Sequence, residues 1–303
     1  MSKKLLLIVN PCSGRAKMRG ELLRVTEILS LGGYDITVYP TKAKGDATKR
    51  IERLKTKEFE KIVVCGGDGT LNEVITGIMT TSLDCTLGYI PAGTLNEWST
   101  GLQVSKSIPT AAKDIINGQP VELDIGQFGE KYFSYTASFG AFTEASYSAP
   151  QDIKNVLGQA AYFFEGVKSL TNIKPINLKF IADGKEIEGS FLFGAISNSM
   201  SVGGIVKFKE AMVKLNDGLF EVLLIRNPAN ISEFQSIVDG IVRQDLSRKG
   251  IEFFHTSSIT VDGSKNVSWT LDGEFAEGKP LIEIKNIKKA IKFIVPSTLN
   301  VLE

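Results

Sequence analysis

The sequence contains 303 residues, of which 43% are hydrophobic and 23% are charged, and its formal net charge is only +1. This is the composition of an ordinary globular protein that is large enough for two domains. The three cysteines, an odd and sparse number, argue against a disulfide framework and favour the reducing cytosol. No stretch approaches the ~20 apolar residues of a membrane-spanning helix, and the run Leu5–Val9 is too short for a secretory signal.

The charge is distributed unevenly along the chain. Residues 1–60 contain 13 Lys and Arg but only 7 Asp and Glu. A basic N-terminal part suits an anionic ligand such as a nucleotide, or an anionic membrane face. Solvent-exposed helix faces explain many of these lysines equally well.

Strand and helix patterns alternate over the first ~125 residues. Short apolar runs predict strands at Leu5–Val9, Ile36–Tyr39, Ile62–Cys65 and Leu87–Ile90. Apolar residues at helical spacing predict helices near 16–31, 46–57, 71–80 and 107–117. This order predicts a parallel sheet with helices on both faces, and ligands bind such sheets beyond the carboxyl ends of the strands.

The segments that follow these strands are candidates for a ligand site. They are Asn10–Gly14, Thr41 with Gly45-Asp46, Gly66–Thr70 and Pro91–Thr94. The glycines of the third segment would let a phosphate approach the N–H groups at the start of the following helix. The alternative is an ordinary turn capped by Asp68. The segment is neither a Walker A loop nor a Rossmann fingerprint, and the near match Gly273–Lys279 is followed by Pro280 instead of a hydroxyl residue.

Shorter strands predominate after about Val121. They are predicted at Val121–Ile125, Tyr132–Ala137, Asn177–Ile181, Ser190–Ile196, Leu219–Ile225, Ile259–Val261, Val267–Leu271 and Leu281–Ile284, with helices near 154–171 and 231–245. Ala182-Asp-Gly-Lys185 is a hairpin-turn motif, and Ala290–Val295 is either another strand or a return to the first domain. The pattern predicts a second, mostly antiparallel β domain.

Several motifs together resemble one known family. Gly66-Gly-Asp-Gly-Thr-Leu-Asn72 resembles the G-G-D-G-T motif of diacylglycerol kinase catalytic domains, which belong with sphingosine kinases and, more distantly, NAD kinases. Further matches follow the family's order over more than 260 residues: Asn10-Pro-Cys-Ser-Gly14, Thr41 with Gly45-Asp46-Ala47, Pro91-Ala-Gly-Thr94, Lys154 with Gly158 and Tyr162, Asn216-Asp-Gly-Leu219, and Leu271-Asp-Gly-Glu274. Their joint order and the chain length resemble the bacterial soluble lipid kinases.

The resemblance implies a role for each matched position, with ATP and Mg²⁺ as cofactors. The ATP-binding residues would be Asn10, Pro11, Cys12, Ser13, Gly14, Thr41, Gly66, Gly67, Asp68, Gly69, Thr70, Leu71, Asn72 and Thr94. Asp68 would also be catalytic, tied through water to the catalytic Mg²⁺. Asp217 would bind a second, structural Mg²⁺ with the backbone carbonyls of Lys214 and Leu219. Glu274 would be the general base that takes the proton from a lipid hydroxyl.

Other residues compete for these roles or depart from the pattern. Asp272, equally acidic and two residues away, is the closest alternative to Glu274. The single histidine, His255, lies in an apolar stretch without a G-x-S-x-G motif, so we interpret it as a structural or surface residue. Glu97 stands where the family usually has Asp, which moves the carboxylate one methylene farther out. Trp98 is expected in the core, and the alternative is that it borders the nucleotide pocket.

The resemblance also implies the fold and the activity. The fold would be α/β plus β: a parallel-sheet nucleotide-binding domain at 1–125, completed by 290–303, and a β-sandwich-like lipid-substrate domain at 126–289, with the active site in the cleft between them. The implied reaction transfers the ATP γ-phosphate to diacylglycerol and gives phosphatidic acid. The alternatives are a kinase of another lipid alcohol such as a sphingoid base or monoacylglycerol, a NAD kinase, and a nucleotide-binding regulator without catalysis.

The expected partners are a membrane lipid substrate and an anionic membrane surface, with no nucleic acid, and a homodimer is left open. We expect a cytoplasmic chain that docks reversibly on the inner face of the membrane. The candidate docking segments are 142–153 and Ser201–Phe208, which carries Val202, Ile205 and Phe208. The alternative is that these apolar residues belong to the core.

Overall fold

The computed structural model describes residues 3–94, 96–140, 174–202, 206–209 and 212–297. Across these ranges the chain divides into two compact units. The first unit contains the chain up to Ile125, the short segment Leu215–Asp217 and the chain from Ile287 onward. The second unit contains Gly126–Lys214 and Gly218–Asn286.

The first unit is built on a parallel sheet. Its strands are β1 (Lys3–Val9), β2 (Tyr34–Pro40), β3 (Lys61–Gly66), β4 (Thr86–Pro91) and the last part of β17 (Leu281–Val295). Their order is β2-β1-β3-β4-β17, and every neighbouring pair is parallel. The apolar run of β3 is buried because helices cover a parallel sheet on both faces. The predicted parallel sheet is confirmed.

Helices connect these strands. They are a 3-10 turn (Ser13–Ala16), α1 (Lys17–Leu31), α2 (Asp46–Glu52), α3 (Asp68–Thr81), α4 (Glu97–Gly101) and α5 (Ile108–Asn117). The predicted helix at 46–57 was too long, because the chain turns after Glu52 and Lys57 adopts a positive φ of 63°. The helix α4 was missed, since its five residues are too few to show a helical period. Trp98 is buried in this unit, as expected, and packs edge-on against Phe293 with ring centroids 4.7 Å apart.

The second unit consists mainly of antiparallel strands. The chain enters it along β5 (Gln119–Phe128) and continues through β6 (Lys131–Phe133), β7 (Thr136–Gly140), β8 (Ile176–Ala182), β9 (Lys185–Ser197), β10 (Ser201–Val202), β11 (Val206–Lys207), β12 (Phe220–Arg226), β13 (Ile251–Thr256), β14 (Ser258–Asp262), β15 (Ser268–Leu271), β16 (Glu274–Glu277) and the first part of β17. The helix α6 (Ile231–Val242) begins at Asn230, whose side-chain oxygen accepts a hydrogen bond from the Glu233 N–H. Its core contains a cluster of aromatic side chains, in which the ring centroids of Trp269 and Phe139 are 4.9 Å apart. The predicted antiparallel β domain is confirmed.

The predicted elements of the second unit are corrected at several points. The hairpin at Ala182–Lys185 is present, with Asp183 and Gly184 both at positive φ. Ala290–Val295 is the end of β17, which returns to pair with β4. The strands β13 and β16 were not predicted, and the helix predicted near 154–171 lies outside the described residues. None of the helices in the described ranges is long and apolar enough to cross a bilayer.

Candidate active site

The parallel register places the four predicted loops at one edge of the first unit's sheet. Val9, at the end of β1, pairs with Pro40 of β2 and with Cys65 of β3. Gly66, at the end of β3, pairs with Pro91 of β4. The four segments after these strand ends therefore begin side by side, at the edge where parallel sheets bind ligands.

Asn10 joins the first of these loops to the third. Its Nδ2 donates a hydrogen bond to Thr70 Oγ1 at 3.0 Å, and its backbone N–H donates to the Cys65 carbonyl at 2.9 Å. Its Oδ1 accepts a hydrogen bond from the Cys12 N–H at 3.0 Å, which shapes the turn that follows. The first loop is thus held against the start of α3.

Glycines let three of the loops touch through their backbones. Gly14 has φ of 56°, and a Cβ there would lie 2.1 Å from the Ala92 carbonyl oxygen. A Cβ on Gly93 would lie 2.6 Å from the Cα of Gly67. No real Cβ approaches an atom so closely, so glycine is required at Gly14 and Gly93 by the neighbouring loop itself. The sequence had suggested only that the glycines make room for a phosphate.

Asn96 shapes the loop that follows β4, a role that was not predicted from the sequence. Its buried side chain accepts a hydrogen bond from the Gly93 N–H at 3.0 Å and donates one to the Gly93 carbonyl at 2.9 Å. Its Oδ1 also accepts a hydrogen bond from the Tyr89 hydroxyl at 3.1 Å. Asn96 has φ of 52°, a conformation that asparagine tolerates better than most residues, and this was the available signal.

Asp68 is the first residue of α3 and is largely buried. Its Oδ2 accepts a hydrogen bond from the Glu97 N–H at 3.1 Å. Its Oδ1 is also buried, and no donor in the described part of the chain reaches it. Burial raises the pKa of this carboxyl, while backbone N–H groups of Asn96–Trp98 and the Tyr89 hydroxyl partly oppose the rise. This hydrogen bond comes from the backbone of Glu97, so it does not depend on the extra methylene of the Glu97 side chain.

The remaining residues of the predicted nucleotide site lie on these same loops. Thr41 follows β2, and its N–H donates to the Val9 carbonyl at 2.8 Å. Leu71 is buried, and its N–H bonds to the Gly67 carbonyl. The others are placed as follows: Pro11 and Ser13 are half-buried, Cys12 and Thr94 are exposed, and Gly69 and Asn72 lie in the first turns of α3.

Asp272 and Glu274 belong to one hairpin of the second unit and have different surroundings. Asp272 and Gly273 form its two-residue turn, with φ of 49° and 83°, and Leu271 pairs with Glu274 across it. Glu274 is exposed at the first position of β16. The buried carboxylate of Asp272 accepts hydrogen bonds from three successive backbone N–H groups: Ser134 (2.5 Å), Tyr135 (3.0 Å) and Thr136 (3.1 Å).

These bonds also correct one predicted strand. The strand predicted at Tyr132–Ala137 is interrupted, because the N–H groups of Ser134–Thr136 bond to the Asp272 carboxylate instead of to a neighbouring strand. The chain therefore forms β6 and β7 as separate strands.

The predicted metal-binding segment contributes to both units. Asp217, half-buried, belongs to the first unit, while Lys214 and Leu219 belong to the second. Gly218 has φ of 85°, which makes a sharp turn after Asp217. Within the first unit, the fully buried Asp124 donates its N–H to the Leu215 carbonyl at 2.9 Å. In the described part of the chain, no group of three or more His, Cys, Asp and Glu side chains is arranged around a common point.

The predicted membrane-docking residues that can be located are buried. Val202 and Phe208 are 3% and 5% exposed, and Phe208 packs against Phe253 with ring centroids 5.4 Å apart. They belong to the core, so the docking hypothesis is wrong for these two side chains. Ile205 and the segment 142–153 lie outside the described residues.

Comparison with known proteins agrees with this architecture. The model of the diacylglycerol kinase catalytic domain matches residues 4–128, and that of the YegS C-terminal NAD kinase beta sandwich-like domain matches residues 137–303. The two matches define a class: a kinase-type α/β domain followed by a β-sandwich-like domain.

Full-length relatives identify the family. A diacylglycerol kinase of Bacillus subtilis (strain 168) is 32% identical over 97% of this chain and 97% of its own length. One of Staphylococcus aureus (strain bovine RF122 / ET3-1) is 29% identical over 99% of this chain and 94% of its own. The chain belongs to the diacylglycerol kinase family. A solved structure from Bacillus anthracis str. Sterne, described as a diacylglycerol kinase, superposes with a TM-score of 0.78 at 24% identity over 97% of both chains, a likeness in fold.

Proposed function

We propose that this chain transfers the γ-phosphate of ATP to the hydroxyl of diacylglycerol and produces phosphatidic acid. The observation that carries the proposal is the joined set of loops at one edge of the first unit's sheet, tied together by Asn10 and by the close approach of Gly67 and Gly93. Glycine N–H groups and the start of α3 suit the phosphates of a nucleotide. Family membership and the names of the full-length relatives support a lipid acceptor.

The nucleotide would bind to the predicted loop residues. These are Asn10, Pro11, Cys12, Ser13, Gly14, Thr41, Gly66–Asn72 and Thr94. Leu71 would contribute through packing, because its side chain is buried and its N–H is already bonded within α3. Phosphoryl transfer demands mainly positioning and charge neutralisation from a protein, which rigid loops of this kind supply.

Glu274 would act as the general base. It would take the proton from the lipid hydroxyl while the lipid oxygen bonds to the γ-phosphorus and the bond to ADP breaks. The alternative base, Asp272, is disfavoured because three backbone N–H groups occupy its carboxylate. His255 is disfavoured as well, since its Nε2 lies 2.9 Å from the Met212 carbonyl oxygen in a structural contact.

Magnesium fits the residues that are present. The buried Oδ1 of Asp68 has no donor within reach among the described residues, so a water molecule on Mg²⁺ would satisfy it. Asp217 with the carbonyls of Lys214 and Leu219 would hold a second ion, since oxygen ligands are those that Mg²⁺ prefers. The ion tied to Asp68 would neutralise charge on the transferred phosphoryl group, and the ion at Asp217 would be structural.

A panel of acceptors tests the function. The chain is incubated with γ-³²P-labelled ATP and mixed micelles of diacylglycerol, monoacylglycerol, a sphingoid base or no lipid, and the products are separated by thin-layer chromatography. We expect label in phosphatidic acid. Label only in another phosphorylated lipid would move the proposal to that acceptor, and no lipid-dependent label would refute kinase activity.

Membrane contact would then rest on an exposed apolar residue. Phe275 is 60% exposed on β16, and an exposed aromatic side chain of this kind would enter the interface of a bilayer. We expect Phe275→Ala to weaken co-sedimentation with anionic vesicles that contain diacylglycerol. The matched control is Val242→Ala, since Val242 is 58% exposed at the end of α6 in the same unit. Equal binding by both variants would contradict docking through Phe275.

A further inference from the structure

Glu73 lies on α3 directly after Gly66–Asn72, the proposed phosphate loop, and its carboxylate contacts the segment that follows β2, here called the Thr41 loop (residues 41–45). Its Oε1 accepts a hydrogen bond from the Gly45 N–H at 2.7 Å, and its Oε2 accepts one from the Ala47 N–H at 3.2 Å. Gly45 is the N-cap residue of α2 and has no side chain with which to cap it. A carboxylate at a helix start satisfies orphan N–H groups and meets the positive end of the helix dipole.

Two other contacts join α2 to α3 and do not involve the carboxylate. Thr48 Oγ1 donates a hydrogen bond to the Glu73 carbonyl at 2.8 Å. A Cβ on Gly77 would lie 2.7 Å from the Cβ of Ile51, so the two helices are in close contact. These contacts hold the body of α2 in place, and the carboxylate holds the start of the helix, where the loop after β2 enters it.

That loop has an anchor at each end. Thr41, at its start, is bonded through its N–H to the Val9 carbonyl of β1 at 2.8 Å. Gly45, at its end, and Ala47, in the first turn of α2, are bonded to the two carboxylate oxygens of Glu73. The side chain of Glu73 therefore links the Thr41 loop to the helix that begins at the phosphate loop.

We propose that Glu73 is a positioning residue that holds the Thr41 loop in the geometry needed for ATP binding. The inference rests on the proposed function, because it takes the nucleotide to lie at the Thr41 loop. Glu73 acts through Gly45 and Ala47 and takes no part in proton transfer. Its loss should weaken ATP binding and leave the chemical step intact.

The test is Glu73→Gln. Glutamine can accept a hydrogen bond from only one of the two N–H groups and turns its own NH₂ toward the other. We expect the KM for ATP to rise about tenfold, the usual scale for a lost charge-assisted hydrogen bond, with kcat at saturating ATP nearly unchanged. Amide hydrogen exchange at Gly45 and Ala47 should accelerate without any ligand. Glu73→Asp, which keeps the charge, should give a KM between those of Glu73→Gln and the wild type.

Thr48→Val is the matched control, because it removes the other hydrogen bond between α2 and α3 and spares the carboxylate. We expect it to leave the KM for ATP unchanged. Equal KM values for Glu73→Gln and the wild type, or an equal rise in Thr48→Val, would overturn the inference alone. A wild-type chain that binds no ATP in calorimetry would overturn both the inference and the proposed function.

Discussion

Two carboxylates in one hairpin have different surroundings. Asp272 is 5% exposed and its oxygens are occupied by three backbone N–H groups. Glu274, two residues later, is exposed at a strand start. A buried carboxylate that accepts three backbone N–H hydrogen bonds is committed to holding the turn at Ser134–Thr136. The proposed mechanism therefore assigns the base to Glu274 and a structural part to Asp272.

Asp272→Asn should destabilise the second unit. One carboxylate oxygen becomes an NH₂ group that faces a backbone N–H, so we expect the free energy of unfolding to fall by about 2 kcal/mol, the scale of a hydrogen bond to a charged group. The measurement is urea denaturation. The matched control is Asp183→Asn, because Asp183 occupies the same position in the exposed Asp-Gly turn between β8 and β9. Equal stability of the two variants would contradict the role given to Asp272.

The sequence identified both acids but not the contacts that the Asp272 carboxylate makes. The N–H groups that Asp272 binds lie 136–138 residues earlier in the chain. The carboxylate of Glu73 likewise reaches back 26–28 residues to Gly45 and Ala47. Such contacts leave no periodic pattern in the sequence, because only the fold brings the partners together.

At the level of elements, the candidate site is a set of loops that require one another. The strand runs and their parallel order were predictable, because buried parallel strands are continuous apolar runs. The contact between Gly67, after β3, and Gly93, after β4, could not be predicted. A glycine-rich turn does not reveal which backbone segment will approach it. The same limit explains the missed Asn96, whose side chain bonds to both backbone groups of Gly93.

Gly93→Ala should disrupt this loop contact. The added Cβ would lie 2.6 Å from the Gly67 Cα and 2.7 Å from Asn96 Oδ1, so the phosphate loop must shift. We expect a loss of about 1–3 kcal/mol in stability, as for other overpacked sites, together with weaker ATP binding in calorimetry. Gly101→Ala is the control, because nothing lies within 4 Å of a Cβ at that position. ATP affinity in Gly93→Ala equal to that of the control would exclude a role for this contact in binding.

The segment around Asp217 gives a metal-dependent prediction. If Asp217 holds a structural Mg²⁺, binding of the ion stabilises the folded state by mass action. We expect EDTA to lower the Tm of the wild type and to leave the Tm of Asp217→Ala unchanged. Calorimetric scans of both proteins, with Mg²⁺ and with EDTA, make the comparison. A wild-type Tm that does not respond to EDTA would argue against a structural ion.

At the scale of the whole molecule, the proposed mechanism gives each of the two units its own role. The loops of the first unit would bind ATP, and Glu274 of the second unit would activate the lipid hydroxyl. The two-part organisation was visible in the sequence as a change from alternating strands and helices to short strands. The joint role proposed for Asp68 and Glu274 could be assigned only from the family's motifs. The two residues lie far apart in the chain, and no repeating pattern in the sequence relates them.

Glu274→Gln tests this division most directly, in parallel measurements of ATP affinity by calorimetry and of phosphoryl transfer to diacylglycerol. The amide is isosteric, and Glu274 is not part of the phosphate loop, so the Kd for ATP should stay at the wild-type value. Turnover should fall at least ~10²-fold, the scale of a lost general base. A variant that keeps near-wild-type kcat would contradict the assignment of Glu274 as the base.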